Sequence, residues 1–260
     1  MNQDEKHNYL LRFQRFQQSR EKFFAPKINK VLFNQYQTFI KNAHLGINAV
    51  QQINSLELTK LLYDIYFDAG TVYGAKIRAD LNRVKARMPI GFSERMHQLI
   101  IDYFGADILN TSEGITETTK QLISEVFINA YQQGLGINDI IKQFENTELS
   151  IIRARLIART ETVTAANAGA LIVAKDTGLK LNKIWLATKD ARTRHDHAQI
   201  DGHTVGRDDY FEVGGYDMLI PGDRGGKDGK PPVPAKEIVN CRCTTIFETM
   251  RDANGRLIRA

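Results

Sequence analysis

Leu171-Ile172-Val173-Ala174-Lys175-Asp176-Thr177-Gly178-Leu179-Lys180-Leu181-Asn182-Lys183-Ile184-Trp185-Leu186-Ala187-Thr188 is where this chain changes character. Its first half closes a helix. From Leu149 onward the apolar residues Ile152, Leu156, Val163, Ala170 and Val173 follow helical spacing, and Gly178 supplies the left-handed residue on which helices commonly stop. Its second half, Lys183 to Thr188, reads as a strand, and so does Cys243-Thr244-Thr245-Ile246-Phe247. Before residue 180 only Pro26 and Pro89 interrupt the helical pattern. After it, four of the six prolines fall between Pro221 and Pro234, and eight of the 19 glycines between Gly202 and Gly229. The expected fold is α+β: a long, mainly helical N-terminal region followed by a small, loop-rich α+β module with a short sheet. The helix at 149–178 is expected to pack on that sheet.

Upstream, the pattern predicts several helices. A first one, rich in Gln, Arg and Phe, runs to about Phe24. Pro26 then opens a second, at the position where a missing N–H costs least, with Ile28, Leu32, Tyr36, Phe39 and Ile40 along one stripe. Ser55 is placed as the N-cap of a third helix carrying Leu58, Leu61, Leu62, Ile65 and Tyr66. A break at Gly91 precedes a segment with Met96, Leu99, Ile100, Tyr103 and Phe104. A further helix holds Leu122, Ile123, Val126, Phe127 and Tyr131 and ends at Gly134, and Asn138 caps a short one to about Phe144. The aromatics Phe13, Phe16, Phe23 and Phe24 exceed what one face of a lone amphipathic helix should expose. They are expected to dock on a partner or a second copy, so that deleting residues 1–24 would leave the C-terminal module folded.

Composition bounds the function classes. The 260 residues are 42% apolar and 25% charged, as in ordinary globular chains, and no apolar run approaches the roughly 20 residues that span a bilayer. Met1-Asn2-Gln3-Asp4-Glu5-Lys6 carries charges where a secretory leader needs an apolar core. The chain is expected to stay in the cytosol where it is made, or to leave inside something larger. Its net charge of +5 is spread along the chain, which describes a solvated surface better than a nucleic-acid arm.

The chemistry concentrates after residue 188. His195, His197 and His203 fall within nine residues, and about forty residues later Asn240-Cys241-Arg242-Cys243 holds both cysteines of the chain. Thiolates and imidazoles are the usual zinc ligands, and a loop-rich module gains most from such a staple. A zinc built from Cys241, Cys243 and His197, with His203, His195 or an Asp as fourth ligand, is one reading; His-x-His and Cys-x-Cys each point to one face of an extended segment. Small core thiols with loop-capping histidines are another. Asp190, Arg192, Thr193, Arg194, Asn240 and Arg242 form a second polar set, in which arginine forks could bind loop carbonyls and carboxylates or, at Arg192 and Arg194, nucleic-acid phosphates. A hydrolase or nuclease reading would use His197 with Asp196 or Asp201 as base or metal ligands. No nucleophile elbow, His-Glu-x-x-His or phosphate loop accompanies it.

These residues stand in a recognisable order. Gly134 to Phe144, Arg153-Ala154-Arg155-Leu156-Ile157-Ala158-Arg159-Thr160-Glu161-Thr162, Asn167, Gly169, Lys183-Ile184-Trp185, Asp190-Ala191-Arg192-Thr193-Arg194, His197, Gly202, Pro221-Gly222-Asp223 and Val239-Asn240-Cys241-Arg242-Cys243 follow one another as in a known family. Over about residues 130–248 the chain resembles the phage Mu protein F-like, minor head or head morphogenesis proteins of tailed bacteriophages. The family's usual histidine falls at His197, which makes His195 and His203 additions in this chain.

The resemblance implies a minor virion protein, more an assembly component than an enzyme. It would sit in the head interior near the portal after assembly in the bacterial cytoplasm, with portal, capsid or scaffold proteins as partners. Double-stranded DNA is a further implied partner, and a membrane is not. Residues 1–130 would be the docking arm, 131–250 the head morphogenesis module and 251–260 a tail. Some relatives carry toxin or ADP-ribosyltransferase domains after this module. With about a dozen residues after Phe247, none is expected here.

Overall fold

The computed structural model describes residues 2–82, 91–136, 138–139, 141–142 and 148–259. Pro89 and residues 140, 143 and 144 of the short helix expected at 138–144 lie outside them, and positions 138–139 and 141–142 are helical. The chain runs through α1 (Gln3–Lys41), a 3-10 segment (Ala43–Gln52), α2 (Leu56–Asn82), α3 (Phe92–Gln132) and α4 (Glu148–Asp176). It then enters β1 (Leu181–Leu186), α5 (His195–Gln199), β2 (Thr204–Gly206), β3 (Phe211–Val213), β4 (Tyr216–Met218), α6 (Ala235–Ile238) and β5 (Thr244–Thr249). The α+β order is the expected one.

Two expected helix boundaries are absent. Pro26 lies inside α1 rather than at the start of a second helix. An interior proline removes one backbone hydrogen bond and costs about 3 kcal/mol. Phe24, Ala25, Ile28 and Leu32 on either side of it are all buried, and four buried apolar side chains outweigh that cost. The segments placed at 96–104 and 122–131 are likewise one helix, α3. The polar stretch between them folds its hydroxyls back onto the helix: Thr111 Oγ1 donates to Asp107 O, Thr118 Oγ1 to Gly114 O and Thr119 Oγ1 to Ile115 O. Side chains satisfied this way need not break the helix to find partners. Gly134 and Gly178 do end their helices with positive φ. At Gly134 the Leu135 N–H reaches Ala130 O and the Gly134 N–H reaches Tyr131 O, a Schellman ending.

The residues gather into two compact units, neither of them continuous in sequence, and a boundary at residue 130 would fall inside α3. One unit comprises 22–64 and 104–158 and is helical. Its core joins Tyr36, Phe39, Ala49, Val50, Ile53, Ile123 and Ala130.

The other unit comprises 1–21, 65–103 and 159–260 and contains every strand. Its three-stranded antiparallel sheet has the order β2-β1-β5, with Trp185 opposite Thr245 and Ile184 opposite both Ile246 and Thr204. Being central, β1 is buried at five of its six positions. β3 and β4 form a separate hairpin, turned by Gly214-Gly215 at φ 58° and 83°, the backbone that a two-residue hairpin demands. Trp185, Phe211, Val213, Met218, Val233, Ile238, Cys241 and Cys243 share one core.

The helical layer of this unit approaches unusually closely. A Cβ on Gly169 would lie 2.1 Å from Gly70 O, and one on Gly74 would lie 3.0 Å from Gly169 O. Only glycines allow α2 and α4 to pack backbone to backbone there. The N-terminal aromatics belong to the same core. Phe13 meets Tyr73 edge-on and Phe16 packs against it at a tilt; the Tyr73 hydroxyl donates to Tyr9 Oη, and the Tyr9 hydroxyl donates to Thr245 O in β5. The expected docking face is therefore corrected: Phe13, Phe16 and Phe24 are buried within the chain, and of the four only Phe23, 51% exposed, remains available. Because Tyr9 and Phe13 complete the unit that holds the sheet, deleting residues 1–24 would destabilise the C-terminal module rather than leave it intact.

Candidate functional site

The sequence from Thr188 to Cys243 is held by side chains more than by strands. Asp190 starts the arrangement. Its Oδ1 accepts from the Arg192 N–H at 3.0 Å, and both carboxylate oxygens accept from the Arg242 guanidinium, one arm at 2.7 Å. The Arg242 fork holds the Asp190 carboxyl well below the usual carboxylate range. Thr188 Oγ1 donates to Arg242 O at 2.8 Å, Thr193 Oγ1 donates to Thr188 O, and Arg194 donates to Val239 O. The loop after β1 is thereby clamped to the segment that enters β5, as the polar set in the sequence predicts.

Asn240 adds a second attachment. It adopts φ 63°, one of two non-glycine residues with positive φ among those described. Its N–H donates to Thr160 Oγ1 at 2.9 Å and its Oδ1 accepts from Arg159 at 2.7 Å, while Arg159 also grips Glu21 with two bonds of 2.8 Å. Asn167 in α4 does the same work deeper in the core. Its amide donates to Pro221 O and Cys243 O, and its Oδ1 accepts from Thr244 Oγ1 and the Thr245 N–H. All four bonds of a fully buried amide are used, so α4 fixes the start of β5.

Between these clamps lies a buried thiol–imidazole cluster. His197, on the short helix α5, is 1% exposed, and Cys241 and Cys243 are equally enclosed. His197 Nδ1 is 3.4 Å from Cys243 Sγ and 3.6 Å from Cys241 Sγ, and its Nε2 is 3.2 Å from Glu237 Oε2. The ring stands edge-on to Trp185 at 5.4 Å. The cysteines are not on the strand, as their spacing suggests, but in the turn between α6 and β5. There the Cys243 N–H points at Cys241 Sγ, 3.5 Å away. The Cys243 thiol and His197 pull the Cys241 thiol down, while the Cys241 sulfur and burial push Cys243 up. Burial opposes charge on His197, but its contacts with Cys241 and Glu237 prevail and raise it.

Several sequence assignments do not reach this cluster. His195 has an 80% exposed side chain, and His203 is also exposed, so neither joins the cysteines. Asp201 is occupied by the Ala187 N–H and Lys189, and Asp196 lies 3.6 Å from His195 rather than against His197. The acid that meets His197 is Glu237, four residues before Cys241, which the sequence reading passed over; that spacing in Glu237-Ile-Val-Asn-Cys241 was the available signal. Arg194 and Arg242 are spent on internal partners, which leaves Arg192, paired at 3.8 Å with Asp190, as the exposed arginine of the set. A second internal anchor also escaped the sequence reading: Arg224 pairs with the buried Glu161 at 2.8 Å.

The clamps and the cluster lie in a stretch that matches a family model, that of the phage Mu protein F like proteins, over residues 121–246. This stretch belongs to the phage Mu protein F-like family. The chain is 36% identical to minor head protein GP7 of Bacillus phage SPP1 over 134 residues, 49% of this chain and 41% of that one. It is 39% identical over 212 residues to the NAD(+)–arginine ADP-ribosyltransferase EFV of Enterococcus faecalis, covering 77% of this chain and 41% of that protein. An uncharacterized protein, YqbB of Bacillus subtilis, is 27% identical over 135 residues, or 48% of this chain and 40% of the other. The chain thus spans about two-fifths of the length of each of these relatives. No solved structure matches it. Among the described residues no helix is long and apolar enough to cross a membrane.

Proposed function

We propose that this Mu F-like chain is a minor head protein that acts in phage head morphogenesis, a component of the virion head that associates with other phage structural proteins. The observation that carries the reading is the 36% identity to the SPP1 minor head protein over a stretch of 134 residues. The geometry agrees with a structural role. The residues richest in chemistry are engaged by partners within the chain: Asp190 by Arg242, Asn240 by Arg159, and the buried His197 by the cysteines and Glu237. The portal is the proposed neighbour within the head, and DNA packaging or delivery the proposed stage of action.

A hydrolase or nuclease built on His197 is not favoured, because a catalytic base must reach its substrate and His197 is 1% exposed. The activity in the name of the E. faecalis protein belongs to a chain of which this one spans 41%, and no cluster described above calls for it.

The test removes the gene from the phage or prophage that encodes the chain and restores it with an epitope-tagged copy. Purified heads should contain the tagged protein at few copies, and infectious titre should fall at least tenfold without it. Absence of the protein from purified heads, with an unchanged titre, would overturn the proposal. A His197→Ala copy separates the enzymatic alternative: nuclease activity present in wild-type protein and lost in this variant would favour the enzyme.

A further inference from the structure

The cluster of His197, Cys241 and Cys243 converges three metal-ligating atoms in one buried place. Nε2 faces the Glu237 carboxylate at 3.2 Å, and a carboxylate accepts, so the ring proton of a neutral imidazole belongs on Nε2. Nδ1 is then a bare lone pair, aimed at two sulfur atoms at 3.4 and 3.6 Å. One hydrogen bond joins Nδ1 to only one of the two sulfurs at a time, whereas a cation between the three atoms engages all of them. The distances suit that cation. With Zn–S near 2.3 Å, Zn–N near 2.0–2.1 Å and tetrahedral angles, sulfur and nitrogen ligands of one zinc ion stand about 3.5 Å apart. All three ligand atoms lie within 4.8 Å of one another.

We infer that Cys241, Cys243 and His197 bind one divalent metal ion of the zinc type through Sγ, Sγ and Nδ1, with Glu237 as the positioning residue that holds the imidazole tautomer. Two thiolates neutralise a dication, so the buried centre carries no net charge from metal and sulfur. The Cys243 N–H directed at Cys241 Sγ favours the same thiolate. The carboxylate on the far ring nitrogen is the usual partner of a metal-bound histidine. The three ligands come from α5 and from the turn before β5, separated by more than forty residues of loops and short strands. One ion would therefore fasten both ends of the Thr188–Cys243 segment, in parallel with the Asp190–Arg242 clamp.

This site is a structural staple. Its ligands are buried and sit against Trp185, so no substrate-sized opening is needed for it to act. His195 and His203 stay outside. The three protein ligands leave one tetrahedral position to a non-protein ligand such as water.

The test uses the full chain, expressed with zinc in the medium and purified under reducing conditions without chelator. Elemental analysis should find about one zinc per chain, and replacement by cobalt should give a thiolate-to-metal charge-transfer band with the strong visible absorption of a tetrahedral ion. Cys241→Ser and Cys243→Ser should each abolish the band, and His195→Ala and His203→Ala should leave it unchanged. Because the serine variants could misfold, Glu237→Gln provides the finer measure: it should fold and still take up one ion, with affinity reduced about 10- to 100-fold in competition with a chromophoric chelator. The inference fails if wild-type protein with two titratable thiols takes up no zinc or cobalt at stoichiometric metal. It also fails if the double serine variant keeps the metal, or if the native protein carries a Cys241–Cys243 disulfide.

Discussion

Lys183 offers the most direct test of how this module is balanced. It sits in the middle of the central strand, fully buried, with Nζ donating to Leu219 O at 2.7 Å and lying over the Phe211 ring. Burial pulls its pKa from 10.5 down to about 7, against the opposing pull of Asp208, Asp223 and Asp209. A base whose native pKa is depressed binds fewer protons folded than unfolded between those two values, so stability must rise with pH across that window and fall as pH drops through about 7. The full difference amounts to a few kcal/mol at about 1.4 kcal/mol per pH unit. Between pH 7 and 9 it should amount to about 2 kcal/mol.

Lys183→Met keeps the unbranched stem and removes the titration. It also strands Leu219 O, a cost of about 1–3 kcal/mol that does not vary with pH. The assay is guanidinium unfolding of wild type and variant at pH 7, 8 and 9 and constant ionic strength, followed by fluorescence of Trp185, the chain's single tryptophan. Thiol and tyrosine titrations are common to both proteins and cancel in the difference. Wild type should gain on the variant by about 2 kcal/mol over that range. A difference that is flat or shrinks with pH would show that Lys183 is not held neutral by burial, and the reasoning would fail.

Two further predictions concern α4. Asn167→Ala leaves the carbonyls of Pro221 and Cys243, together with the Thr244 hydroxyl and the Thr245 N–H, without their partner. It should cost about 3 kcal/mol or more, and Asn167→Asp, which turns a carboxylate on the same two carbonyls, should cost more still; an Asp variant as stable as wild type in urea would contradict the assignment. Gly169→Ala drives a methyl into the Gly70 backbone and should destabilise by at least about 1–3 kcal/mol. Gly114→Ala, in open space on α3, should instead stabilise by about 0.5–1 kcal/mol. Melting temperatures that move in the same direction for both glycines would refute the close approach.

What could be read from the sequence was local or covalently near. Gly134 and Gly178 end helices because the stop depends on one residue's backbone freedom. Strands at 183–188 and 243–247 follow from β-branched and aromatic runs, and the Asp190–Arg242 contact from complementary charge in a loop with few other means of holding its shape. The His197–Cys241–Cys243 grouping was legible too, since few other residues there offer soft donor atoms.

The tertiary structure alone decided the rest, because burial is a property of the whole fold. Pro26 stays within α1 since apolar residues on both sides of it are enclosed, a gain no local rule counts. Phe13 and Phe16 look like docking residues along the chain, yet they face Tyr73, which the sequence places some sixty positions away. Glu237 reaches His197, and Lys183 loses its water, only once β1, α5 and α6 share one core. Local spacing chose where elements begin and end, and long-range packing chose which polar groups those elements enclose.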